Sequence, residues 1–534
     1  MLRYDEPTIA VSAADSRKIA IGWIRRDGPQ ILLGAITLSG VDVNDTVQSG
    51  FTPVPQLPFV VSNPSPCENL NLPTFAQADP ISATSRVTGE VWIGGQATDG
   101  RKGGFCISRL GGTAQSPQLI QTTTAYCNDL FFGTGCFNAL IDKPWIAIGP
   151  ESGAANAAQT MVLVWNQGNN PSLGKLYIRR SDPASPPGEV WPTPAQFEQE
   201  VVLSTNPTSM CDPPAGFAGA LAMIHSGSTK GRVVVAFRPP DVNGFYNLPA
   251  VTDLRPVVGQ HGPVFQFIAS TTAGQLFEFR KNDVPGGFEV YGFPASADDP
   301  LTLGDAYVVF TASPDPTTAS NRRLDLYIAR GRAFLDPNLQ IFRTLFDSDN
   351  VFRITDAMLG EVVSDPRGTA QIMPAVYVDS RCGFVHLQYF AIWQDGADVK
   401  LQVKYAKLAG LAQGTPLVVS HHALAPAFSR DAFGPNLTDR VLGDYQAITG
   451  SECWILGAFM SAHEGYQGIY VSQIKVFPQC SADVEIDCAI NGGDMLAFAT
   501  AYAAGTTAAD INKDGVVDGL DLAAFLADYG SSPP

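Results

Sequence analysis

Apolar residues along the first nine-tenths of the chain come in short runs, broken by Gly, Pro, Asn and Asp. TMVLVWNQ (160–167), KLYIRRSD (175–182) and DAYVVFTAS (305–313) are typical. Runs of this length, rich in β-branched and aromatic residues and bounded by turn formers, predict strands. The pattern changes only near the C-terminus. There Leu522, Phe525, Leu526 and Tyr529 fall at i, i+3, i+4 and i+7, which predicts a helix over Leu522–Tyr529 with those four on one face. A second apolar segment, Met495–Ala503, has the same helical character. The chain therefore divides into a mainly β region, 1–478, and a small helical module, 479–534.

Within the β region five segments share a layout: EPTIAV (6–11), LPTFAQ (72–77), KPWIAI (143–148), MPAVYV (373–378) and GDYQAI (443–448). Four carry Pro at the second position. Proline suits the start of a strand, where no N–H is owed to the ladder. Neighbouring segments begin 66, 71 and 70 residues apart. The long gap between Pro144 and Pro374 holds further candidates at 218–236 and 305–313. A repeat of ~40–70 residues with about four strands reads as one blade of a β-propeller, in which radial closure protects the strand edges. The count favours seven blades, with six as the alternative because 240–350 is irregular. A stack of β-sandwiches is the competing layout.

Composition narrows the function. Of 534 residues, 45% are hydrophobic and 16% charged, with net charge −17. A nucleic acid or anionic membrane partner needs basic patches that this balance does not favour. No stretch approaches the eighteen apolar residues of a membrane span. Nine Cys residues include no C-x-x-C pair. Cys127 with Cys136 and Cys480 with Cys488 are close enough for local disulfides, and free thiols are the alternative. An extracellular home is expected, with the signal peptide not present in this chain, since Glu6 already begins a repeat. The six His residues form no H-E-x-x-H, and neither G-x-S-x-G nor a phosphate-binding Gly loop occurs.

DINKDGVVDGLD at 510–521 carries the densest chemistry. Asp510, Asn512, Asp514, Asp518 and Asp521 occupy positions 1, 3, 5, 9 and 12 of an EF-hand-type loop, with Gly515 at 6 and the Val516 carbonyl at 7. That oxygen set suits Ca²⁺. DVEIDCAINGGD at 483–494 repeats it with Asp483, Glu485, Asp487, Asn491 and Asp494, and Ala489 as the carbonyl donor. Cys488 replaces Gly at position 6, which predicts a weaker first site. A duplicated loop–helix with Asp at position 12 resembles a type I dockerin over about 480–530. The resemblance implies a cohesin-like partner. The recognition positions 10 and 11 hold Gly492, Gly493, Gly519 and Leu520, with no polar pair. A plain calcium-folded clamp is the alternative role.

The β region resembles sialidase-like, BNR-repeat propellers through Asp142–Trp145, MPAVYVDSR (373–381) and LGDYQ (442–446). SDPASPPGEVW (181–191) is a degraded Asp-box, keeping Ser181, Asp182, Gly188 and Trp191. The resemblance implies an arginine clamp, a Tyr nucleophile with a Glu partner, and an Asp acid/base. The family's N-terminal Arg-Ile-Pro is not found, and FRIT (352–355) comes too late in the chain. Arg179, Arg381, Asp379, Asp444 and Tyr445 are the candidates, each with a structural alternative: turn shaping for Asp379 and Arg381, anchoring of a blade for Asp444 and Tyr445. The functional expectation is a secreted, calcium-binding protein whose propeller binds a glycan or protein and whose tail mediates attachment. A sialidase-type glycoside hydrolase is the alternative.

Overall fold

The structure is a computed structural model. It describes seven sheets and their adjoining turns between residues 3 and 475, and beyond them residues 484, 492–511 and 516–530. The sheets are antiparallel, with four or five strands each, and two two-stranded ribbons accompany them. Their first strands are Arg3–Val11, Thr74–Thr84, Leu140–Pro150, Gly219–Met223, Ala295–Asp298, Ala370–Val378 and Ala447–Gly450. Each first strand packs on the next, and the seventh returns to the first. This closed ring of inner strands is the radial arrangement of a β-propeller, and the sheets are numbered below as blades one to seven.

Ring closure uses the N-terminal segment. Between the third and fourth strands of blade one, Gln48–Ser49 leaves to pair with Gly468–Lys475, becoming the outer strand of blade seven. The core lies between blades. Ile81, Trp92 and Phe105 of blade two pack against Ile146, Met161 and Trp165 of blade three. The same layering recurs between blades five and six.

The proline repeat is real, but its geometry differs from the expected one. Glu6, Asp79, Lys143 and Met373 have φ of 52°, 47°, 50° and 51°, and each precedes a proline. In all four blades the pairing register skips this residue and its proline, as between Asp5 and Thr8 or Ile372 and Ala375. The prolines thus sit in β-bulges inside the inner strands rather than at their starts. A bulged residue has left the ladder, so the missing N–H costs nothing there. In blade two the equivalent pair is Asp79–Pro80, so LPTFAQ (72–77) marks the right strand in the wrong register. DAYVVFTAS (305–313) is likewise the second strand of blade five, Ala306–Ala312.

Near the C-terminus two helices, Gly492–Ala503 and Gly519–Gly530, pack through Phe498 and Phe525, whose rings stack at 4.0 Å and 6°. Ala509 completes their buried centre, with Val484, Ile511 and Val517 around it. The expected four-residue face is only half right. Phe525 is buried, whereas Leu522 and Leu526 are exposed. Two short helices enclose a narrow core, which accepts Asp521 and Phe525, one turn apart, and turns the leucines outward. No helix among the described residues is long and apolar enough to cross a membrane.

Candidate functional site

The bulges bring charge to the middle of the ring. Lys143 Nζ lies 2.9 Å from Asp79 Oδ1 and 4.0 Å from Glu6 Oε1, joining blades one, two and three. Glu6 and Asp79 are 3% and 2% exposed. A non-glycine residue held in the left-handed region costs about 1–3 kcal/mol, so three strained charged residues at equivalent places mark a position the fold maintains. Tyr445, just before the first strand of blade seven, reaches across the axis. Its hydroxyl donates to the Pro80 carbonyl of blade two (3.1 Å), and its ring meets Trp145 of blade three at 5.2 Å. Gln446 next to it donates to the Met373 carbonyl of blade six (2.6 Å).

A second network crosses the axis at the far ends of the inner strands. Arg86, in the turn after Thr74–Thr84, holds Asp298 of blade five through two nitrogens at 3.0 and 3.2 Å. His225 of blade four places Nδ1 2.8 Å from Asp298 Oδ2 and Nε2 3.1 Å from the Ile148 carbonyl of blade three. Burial opposes the Asp298 charge, but Arg86 and His225 outweigh it and hold its pKa down to about 2. Four blades are joined by this one network. Nothing in the local sequence marks Arg86, His225 and Asp298 as partners.

Of the residues expected from the sialidase resemblance, the three that are described, Arg179, Asp379 and Tyr445, lie on blades three, six and seven and each has its own partner. Arg179 lies on the third strand of blade three and donates to the Ala125 carbonyl of blade two. Asp379 accepts from the Phe384 N–H (2.8 Å) and faces His386 Nε2 at 3.2 Å, shaping the first turn of blade six. Burial pushes the His386 pKa down, against the pull of Asp379. Tyr445 anchors a blade by hydrogen bond and ring packing, as its structural alternative predicts. Arg381 and Asp444 lie outside the described residues. The degraded Asp-box forms a turn. Ser181 Oγ accepts from the Met161 N–H (2.9 Å), Asp182 Oδ1 from the Ala184 N–H (2.9 Å), and Trp191 donates to the Gly188 carbonyl (3.1 Å). Gly188 has φ 74°, and a Cβ there would meet Met161 Cε at 2.8 Å.

Of the calcium-loop residues, Asp494, Asp510, Val516, Asp518 and Asp521 are described, whereas Asp483, Glu485, Asp487, Ala489, Asn491, Asn512 and Asp514 lie outside the described residues, as do Cys480 and Cys488. The side chains of Cys127 and Cys136 are also outside them. Both helices begin three residues before the expected starts, which puts the position-12 carboxylates, Asp494 and Asp521, in their first turns. Helix N-termini favour negative charge there. Asp518 accepts from the Leu520 N–H, and Asp521 accepts from the Asp518 N–H, both at 2.8 Å. Asp494 and Asp521 are each fully buried.

No family model and no curated protein matches the chain. Among solved structures it is similar to a Hadza microbial sialidase, with 12% identity over 85% of this chain and 73% of that one and a TM-score of 0.36. It is similar to the NanB sialidase of Streptococcus pneumoniae at 9% identity, covering 73% of this chain and 53% of that one, TM-score 0.32. It is also similar to Drosophila semaphorin 2a at 8% identity, covering 89% and 74%, TM-score 0.38. The architecture itself rests on the strand order and the closed ring of inner strands.

Proposed function

We propose that the chain is a secreted, calcium-binding protein whose seven-bladed propeller binds a glycan or protein and whose dockerin-like tail attaches it to an assembly. The observation that supports binding over catalysis is the placement of Tyr445. The candidate nucleophile is 6% exposed, and its hydroxyl is engaged by the Pro80 carbonyl. A nucleophile must instead be reachable and paired with a base. In the tail, Asp510, Asn512, Asp514, the Val516 carbonyl, Asp518 and Asp521 would hold one Ca²⁺, and Asp483, Glu485, Asp487, the Ala489 carbonyl, Asn491 and Asp494 a second, weaker one. The ion would supply the positive charge that lets these carboxylates share one small space. Exposed Leu496, Leu520, Leu522 and Leu526 give a cohesin-like partner an apolar surface to cover.

The second reading is a glycoside hydrolase, for which the carboxylates of Glu6 and Asp79 beside Lys143 are the nearest acid and base pair in the ring, although they are as buried as Tyr445. One experiment separates the two: fluorophore release from a panel of aryl glycosides including a sialoside, with calcium and with chelator, beside a glycan array. Capture of a glycan without turnover supports the binding reading. Steady turnover that Asp79→Asn abolishes overturns it in favour of the hydrolase.

A further inference from the structure

Blade six carries a cluster of titratable side chains away from the axis. Its fourth strand, Leu417–Ala423, is the edge of its sheet and pairs on one side with Asp398–Ala409. Leu417 and Val419 on that strand are 64% and 45% exposed, while Val418 between them packs on the core and the His422 ring stacks on Tyr405 of the third strand. His421 is also half-buried, and it carries the strand's polar contacts to its neighbours. Its Nε2 lies 3.0 Å from the Tyr389 hydroxyl and 3.3 Å from Glu361 Oε1, and its ring stacks on Tyr389 at 6.4 Å and 18°. Glu361 belongs to the connection from blade five and also pairs with Lys404 of the third strand. Lys404 Nζ stands 5.8 Å over the Trp393 ring. One imidazole thus ties the edge strand to the second strand and to the incoming connection.

We infer that the junction of His421 with Tyr389 and Glu361 is an acid-sensitive latch that holds the edge strand 417–423 onto blade six and releases it when the imidazole gains a proton. In the neutral tautomer with its proton on Nδ1, His421 accepts the Tyr389 O–H at Nε2. A proton on Nε2 ends that bond and sets a second cation beside Lys404 at the single Glu361 carboxylate. The charged groups around His421 are Glu361 and Asp356 from the connection, Lys404 from the third strand and His422 beside it. Burial first, then Lys404 and His422, pull the His421 pKa down to about 4, against Glu361 and Asp356. The folded ring therefore binds a proton less readily than an unfolded one. The contribution of the latch is complete above the ordinary histidine value and is lost as pH falls from about 6.5 toward 4.

Amide exchange of peptides covering 417–423, read by mass spectrometry at pH 7 and pH 4.5 and corrected for intrinsic rates, tests the latch on the full chain. Protection in the wild type is expected to fall at least tenfold at pH 4.5, while His421→Gln, which offers Tyr389 an acceptor that does not titrate, keeps its protection. Equal protection of the wild type at both pH values overturns the inference, and so does the same loss in His421→Gln. If that variant fails to fold, Glu361→Gln serves. With the carboxylate gone the ring of the closed strand resists protonation further, which widens the gap to the ordinary histidine value, so the loss at pH 4.5 is expected to persist or grow, and a loss that disappears overturns the inference.

Discussion

The ring and the tail solve the same problem, buried charge, in opposite ways. At the axis every described charged side chain of the two networks is met by a partner from another blade: Lys143 by Asp79, Asp298 by Arg86 and His225. In the tail, among the described residues, two fully buried carboxylates, Asp494 and Asp521, sit where helix N-termini favour them, on a core whose buried apolar side chains are Phe498, Ala509 and Phe525. A core that small contributes little stability by itself. The ring carries its counter-charges in its own sequence, and under the proposed function a Ca²⁺ from solution would add one in the tail. A chelator should therefore act on one region and not on the other.

The largest expected effect comes from breaking the tail. Asp521→Ala, or Asp514→Ala in the same loop, should abolish the calcium-dependent melting transition while the ring melts unchanged. A ring transition that also collapses in circular dichroism would mean that the two regions are one cooperative unit. Phe525→Ala should cost about 3–5 kcal/mol, confined to the tail, and excess calcium should restore part of it. On the ring side, Arg86→Ala leaves the Asp298 carboxylate buried beside His225 alone and should cost about 3 kcal/mol in denaturant titration, insensitive to chelator. The folded pKa of Asp298 lies below its unfolded value, so its contribution is full above about pH 4 and is lost as pH falls toward about 2. An acid titration of ring stability should show that loss, on the order of 2 kcal/mol, flattened in Asp298→Asn. Tyr445→Phe removes one hydrogen bond and should cost about 1 kcal/mol. Any turnover found in the wild type should survive it, because its hydroxyl is an anchor.

Much of the ring could be read from the sequence because its signals are local. Strand runs, the proline repeat and the Asp-box turn each occupy a few consecutive residues. The register of the bulges could not be read so well. In blade two a second proline, Pro73, stands a few residues before Pro80 and mimics the pattern. Only the pairing partners across the sheet decide which one is bulged. The short, polar inner strand of blade five, ASAD, is overshadowed by the apolar strand that follows it. The axis clasp was hidden for a deeper reason. Arg86, His225 and Asp298 become neighbours only when the ring closes, and no spacing along the chain encodes that. In the tail the two helices were legible from their apolar segments, but helical periodicity misplaced Leu522 and Leu526, because a two-helix core is narrower than the face a larger domain would bury.

The pairing of Gln48–Ser49 with the last blade sets a schedule for synthesis. That outer strand leaves the ribosome long before its partners, Ser472 and Gln473, at the other end of the ring. At 5–20 residues per second the wait is roughly 20–80 s. Throughout it the early blades have no closed circle to belong to, and Gln48–Ser49 has no strand to cover. The nascent chain is thus most open to aggregation, proteolysis or chaperone capture before its seventh blade exists. A stop codon that removes only the residues after Ser461 should harm the first blade as much as the last.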